Sequence, residues 1–81
     1  MSKRTGVIGI LVTDKEAVPK VNSLLSEYSG LILGRIGLPR PENGMSVISL
    51  IVEGTNEEIG ALTGKLGTLS GITGKSLLLT K

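Results

Sequence analysis

The 81-residue chain contains no cysteine, histidine, tryptophan or phenylalanine, and Tyr28 is its single aromatic residue. Each absence removes a class of chemistry. Without cysteine there are no disulfides and no thiolate ligands, and without histidine no imidazole metal site or imidazole base. Nucleophilic catalysis would then need an activated lysine or a carboxylate pair, which no motif in the chain places. Tyr28 falls at a core-facing helix position, so no aromatic ring is left for the base-stacking surface of RNA-binding sheets. Long apolar runs are missing as well. The longest uncharged stretch, Asn43 to Val52, is far short of the roughly 20 apolar residues that cross a bilayer. Lys3 and Arg4 ahead of Val7 to Val12 begin like a signal peptide, but Asp14 interrupts the run too early. The expectation is a cytoplasmic protein that is not an enzyme, holds no cofactor and no metal, and has no membrane partner.

An excess of one charge is also absent. Nine Lys plus Arg against seven Asp plus Glu leave a net +2, with the positives scattered. That is too little for an electrostatic nucleic-acid footprint, so no direct nucleic-acid binding is expected. What the chain does have is 40% apolar residues and 20% charged residues, the balance of a folding globular domain. Its length supports one core and no second domain: residues 1–81 form a single unit, with residues 1–4 expected to be a flexible terminus.

Thr5 to Thr13 is an uncharged, β-branched run suited to a strand covered on both faces. Ala17, Val18, Val21, Leu24, Leu25 and Tyr28 then follow one face of a 3.6-residue helix, with Asp14 as cap and Gly30 as stop. Pro19 would break a helix that started at Lys15, so the helix is expected to begin late, with Pro19 in its first turn and Thr13 to Glu16 irregular. Leu31 to Gly37 reads as a second strand, LPRPENG from Leu38 to Gly44 as a turn, and Met45 to Glu53 as a third strand. Thr55 and Glu58 fit a capping box, Ile59, Leu62, Leu66 and Leu69 recur at helical spacing, and Ile72 to Thr80 forms the last strand. This order predicts an α+β, ferredoxin-like βαββαβ sandwich: a four-stranded antiparallel sheet with both helices on one face.

Alternation along the strands yields two apolar sets. One is Ile8, Ile10, Val12, Ile32, Ile36, Ile48, Leu50 and Val52. The other is Val7, Leu11, Leu31, Leu33, Val47, Ile51, Ile72 and Leu78. Only one set can face the helices, so the other leaves an apolar sheet face that soluble monomers rarely expose. A homodimer or higher homo-oligomer is therefore expected, with Val7, Leu11, Leu33, Val47, Ile51 and Leu78 at its interface. Thr13 and Asp14, at the end of the first strand, are the candidate ligand-binding pair, although capping alone would account for Asp14.

Other motifs carry less. Gly74-Lys75-Ser76 ends like a P-loop, but Leu69 stands where the motif needs glycine and no helix can follow. Gly34-Arg35-Ile36-Gly37 lacks the dinucleotide fingerprint. Glu53, Glu57 and Glu58 are explained by a helix N-terminus without a metal. Gly60, Gly64 and Gly67 form a bare stripe along the second helix, expected to let the two helices of one protomer pack closely; contact with a partner is the alternative.

GVIGILVTDKEAV, KVNSLLSEYSGLILGRIGLP, GMSVISLIVEGTNEEIGALTGKLGTLSGI and the closing Lys75-Ser76 strand resemble the iron-only hydrogenase system regulator family. Its members are small ACT-like domains related in fold to the C-terminal domain of nickel-responsive repressors. The resemblance spans nearly the whole chain. It implies an oligomeric regulatory module that senses a small-molecule effector at a protomer interface; a ligand-free oligomeric scaffold or interaction module is the alternative. The nickel-binding His and Cys of the repressor relatives are absent, and so is the glycine that ACT domains carry after the first strand.

Overall fold

β1 (Arg4–Val12) is paired on both sides, antiparallel to β3 (Met45–Gly54) and to β4 (Ile72–Leu78), and β3 pairs in turn with the edge strand β2 (Ile32–Arg40). The sheet order is β2-β3-β1-β4. Between the strands lie α1 (Val18–Glu27) and α2 (Asn56–Gly67), with 3₁₀ turns at Lys15–Ala17 and Ser29–Leu31. The structure, a computed structural model, describes residues 3–40 and 44–80. This is the ferredoxin-like βαββαβ sandwich that the order of elements predicts. β1 starts at Arg4, opposite Gly54, so the expected flexible terminus is already strand at Arg4; residues 1 and 2 lie outside the described residues.

The helix starts follow their local chemistry. Asp14 accepts a hydrogen bond from the Glu16 N–H at 3.0 Å and opens a 3₁₀ turn, so Lys15 to Ala17 is a tight turn rather than irregular loop. α1 begins only at Val18, and Pro19 sits in its first turn, where its missing N–H has no partner to lose. At α2 both halves of the capping box form: Glu58 N–H donates to Thr55 Oγ1 at 3.1 Å, and Thr55 N–H to Glu58 Oε1 at 2.8 Å.

Ile8, Ile10 and Val12 of β1, Ile48, Leu50 and Val52 of β3, Ala17, Val21 and Leu25 ahead of and along α1, and Ile59, Leu62 and Leu66 of α2 form one buried core. Ile72 of β4 joins them, and Leu78 packs against their edge. Both had been expected on the uncovered face. The register explains the correction: Ile72 stands opposite Val12 and Leu78 opposite Gly6, both helix-facing positions. The absent side chain of Gly6 lets β4 close on β1 here; a Cβ there would lie 2.6 Å from the Leu77 carbonyl oxygen and 3.3 Å from Leu78 Cδ2.

β2 departs from the expected alternation. Ile32 pairs with Val52 but Gly34 with Ile51, so Leu33 is the extra residue of a bulge and every later residue of β2 changes face. Ile36, expected in the core, is 73% exposed on the open side, and Leu31 lies in the 3₁₀ turn before the strand. β2 also runs on through Pro39 to Arg40, past the expected turn at Leu38. An edge strand tolerates proline because one side of its backbone pairs with nothing. Residues 41–43 of that turn lie outside the described residues.

The glycine stripe of α2 does not serve close helix packing, since a Cβ on Gly60, Gly64 or Gly67 would meet nothing within 4 Å. Close approach occurs at Gly54, whose Cβ would lie 2.7 Å from Leu31 Cδ2, and at Gly71, which has φ +78° and whose Cβ would lie 2.6 Å from that of Asp14. These positions predict different outcomes in urea denaturation at fixed protein concentration. Leu62→Ala, at a site with no exposure, loses about 2–5 kcal/mol. Gly71→Ala loses more than ~1 kcal/mol through strain and contact. Gly64→Ala gains up to ~1 kcal/mol from helix propensity.

Candidate functional site

The helices cover one side of the sheet, and the register assigns what is left on the other. Three rows cross all four strands in the order β2, β3, β1, β4. The first is Leu38, Val47, Leu11 and Thr73, the second Ile36, Ser49, Gly9 and Lys75, and the third Gly34, Ile51, Val7 and Leu77. The outer rows are aliphatic over most of their width. The middle row has small residues at its centre, Gly9 and Ser49, so the face has two apolar ridges with a shallow trough between them. Val47, Ile51, Ile36, Leu38 and Leu77 are all exposed, Ile51 by 49%, while Val7 and Leu11 on the inner strand are half-buried by their neighbours.

Of the expected interface residues, Val7, Leu11, Val47 and Ile51 lie together on this face. Leu33 is exposed at the bulge, outside the regular rows. Leu78 is turned to the helical side, and Leu77 takes its place, 63% exposed. Ile36, Leu38 and Leu77 are the residues that sequence reasoning missed. The signal for the first two is Gly34, since a lone glycine inside a strand pattern marks a bulge.

Thr13 and Asp14 are exposed, and both are tied to their own protomer. The Thr13 N–H and hydroxyl both donate to the Gly71 carbonyl, at 2.8 and 3.1 Å, and Asp14 holds the 3₁₀ turn. The pair joins the end of β1 to the turn that enters β4. A separate contact links the helices: the Lys65 ammonium lies 5.1 Å from the Tyr28 ring centre and 3.7 Å from Glu27 Oε2. Tyr28 first, and Glu27 after it, raise the Lys65 ammonium above its ordinary value. Both partners of the ion pair are more than half exposed, so it contributes little to stability.

Comparison with known proteins follows the same architecture. The TM1266-like family model, described as "Iron-only hydrogenase system regulator, putative", matches residues 4–76. The solved structure of TM1266 from Thermotoga maritima is 41% identical, with 98% of this chain and 100% of that chain covered and a TM-score of 0.94. The ACT domain from the GTP pyrophosphokinase of Chlorobium tepidum is 19% identical over 94% of this chain and 100% of that one, at a TM-score of 0.79. CPII, a nitrogen regulatory PII-like protein from Thiomonas intermedia K12 solved with ADP, AMP and bicarbonate, shares 14% identity over 98% and 99%, at 0.50. The last two likenesses show a shared fold. No curated protein matches the chain.

The local task of Asp14 is directly testable. Asp14→Ala removes the acceptor for the Glu16 N–H and should cost about 1 kcal/mol in urea denaturation, whereas Asp14→Asn keeps an acceptor and most of the stability. Equal losses in the two variants would show that the charge, not the cap, matters.

Proposed function

Because the chain belongs to the TM1266-like family of regulators, we propose that it works as a homo-oligomeric regulatory module in which a second copy covers the open face of the sheet. The observation that carries this reading is the row pattern itself. Apolar ridges stand on either side of the Gly9–Ser49 trough, so the face reads nearly the same from both ends. Turned over by an in-plane two-fold axis, the Leu11–Val47 ridge of one protomer lies over the Val7–Ile51 ridge of the other. Apolar surface meets apolar surface over the two inner strands, with the Lys75 ammonium groups left at the β4 rim, as an isologous interface allows. A heterologous partner would have no reason to match this symmetry.

Covering the face releases water from aliphatic surface at roughly 25 cal/mol per Å². A standard interface buries about 800 Å² per partner, about one-sixth of the 5091 Å² that one protomer exposes. Regulation then follows from mass action: whatever binds one assembly state better than the other shifts the balance between them.

Sedimentation velocity at micromolar concentration tests the reading. The expected species has at least twice the 8.4 kDa protomer mass, and Ile51→Glu, which charges one ridge without touching the core, returns it to 8.4 kDa with the fold intact. A wild-type chain sedimenting only at 8.4 kDa overturns the proposal.

A further inference from the structure

On the helical side the covering layer stops short of the edge strand. Past the bulge, the helix-facing positions of β2 are Arg35, Gly37 and Pro39, opposite Leu50, Ile48 and Ser46. None is a large aliphatic residue that could fill the space beneath α1. A cleft of about 250 Å³ remains there, with apolar walls that include Val18, Val21 and Ile48, and a polar wall of Arg35 and Asn22. A Cβ on Gly37 would meet nothing within 4 Å, so the strand leaves this position open to the cleft.

Charge and shape together select an occupant. Among the described residues the Arg35 guanidinium donates one long hydrogen bond, 3.4 Å, to Asn22 Oδ1, which occupies one of its five N–H donors. Among the described residues no carboxylate stands within ion-pair distance of it. A planar fork of donors beside aliphatic walls matches a carboxylate that carries an apolar chain. Phosphate or sulfate would engage the fork but lose hydration against valine and isoleucine without return. A neutral or cationic aliphatic molecule would desolvate the guanidinium with no partner for it. At about 30 Å³ per water-sized group the cleft holds roughly eight non-hydrogen atoms, the size of a six-carbon monocarboxylate.

We infer that the cleft between α1 and β2 is a binding site for a short aliphatic monocarboxylate, held at the carboxylate by Arg35 and along the chain by Val18, Val21 and Ile48. The site is built within one protomer, mostly on the helical side of the sheet, and its lining reaches Leu38 and Val47 at the margin of the open face.

Amide NMR titration of the full chain with 4-methylpentanoate tests this, with 4-methylpentanamide and inorganic phosphate as matched controls. Saturable shifts are expected at Val18, Val21, Asn22 and Gly37 for the carboxylate alone. Arg35→Gln should weaken binding at least ~tenfold, and Gly37→Val, which projects a side chain into the cleft from a strand position, should abolish it with the remaining spectrum preserved. The same titration of Ile51→Glu should give the wild-type response, which separates this outcome from that of the oligomer test. No saturable shift, an equal response to the amide or to phosphate, shifts centred on Thr13 and Asp14 or on the open sheet face, or unchanged binding by Arg35→Gln would overturn the inference.

Discussion

The pairing of β1 with a neighbour on each side is the constraint from which the rest follows. Once Val12 stands opposite both Ile72 and Ser46, and Gly6 opposite Leu78 and Val52, the pleat decides the face of every residue on three strands. Ile8 and Ile10 then meet the helices, while Val7 and Leu11 cannot, however apolar they are. A strand aliphatic at both parities is usually covered on both sides. Here two short helices supply one cover, and the sheet is left with the other side unfinished.

The ends of β1 are secured by small contacts rather than by bulk. At its C-terminal end Thr13 binds the Gly71 carbonyl, and Asp14 fits against Gly71 only because that residue has no side chain. At its N-terminal end the Thr5 carbonyl accepts from the Leu79 and Thr80 N–H groups, and the Thr80 hydroxyl accepts from the Thr5 N–H at 2.8 Å. The first strand is thus fastened at both ends to the chain flanking the last. Thr13 and Asp14 form the fastening at one end.

Features set by neighbours in the chain were legible. The capping box of Thr55 and Glu58, the late start of α1 forced by Pro19, the apolar face through Val21 and Leu25, and the order of elements all depend on spacing within a few residues. Features set by pairing across the sheet were not. The side on which Leu77 and Leu78 fall depends on the turn at Gly71, since two adjacent leucines fit either parity. The facing of Ile36 depends on a surplus residue at Leu33 that alternation alone does not reveal. The glycine stripe of α2 suggests tight helix packing, yet the close approaches lie elsewhere, at Gly71 against Asp14 and at Gly54 against Leu31. The open face was half legible: Val7, Leu11, Val47 and Ile51 were found, and its edge-strand members were not.

The bulge at Leu33 has a consequence for how this sheet holds its identity. If β2 slid by one residue and passed the surplus to the hairpin, Ile36 would come to lie beside Ile48 under α1, and Arg35 would emerge beside Ser49 in the middle of the greasy face. The slid form would be better filled and more charged: the hollow beside α1 would be plugged with aliphatic carbon, and the outer surface, which carries Lys75 on β4, would gain a second cation on β2. Only one ladder of hydrogen bonds separates the two arrangements, because an edge strand has a single neighbour to let go of. One unmatched leucine thus keeps the cleft beside α1 open and the outer face aliphatic.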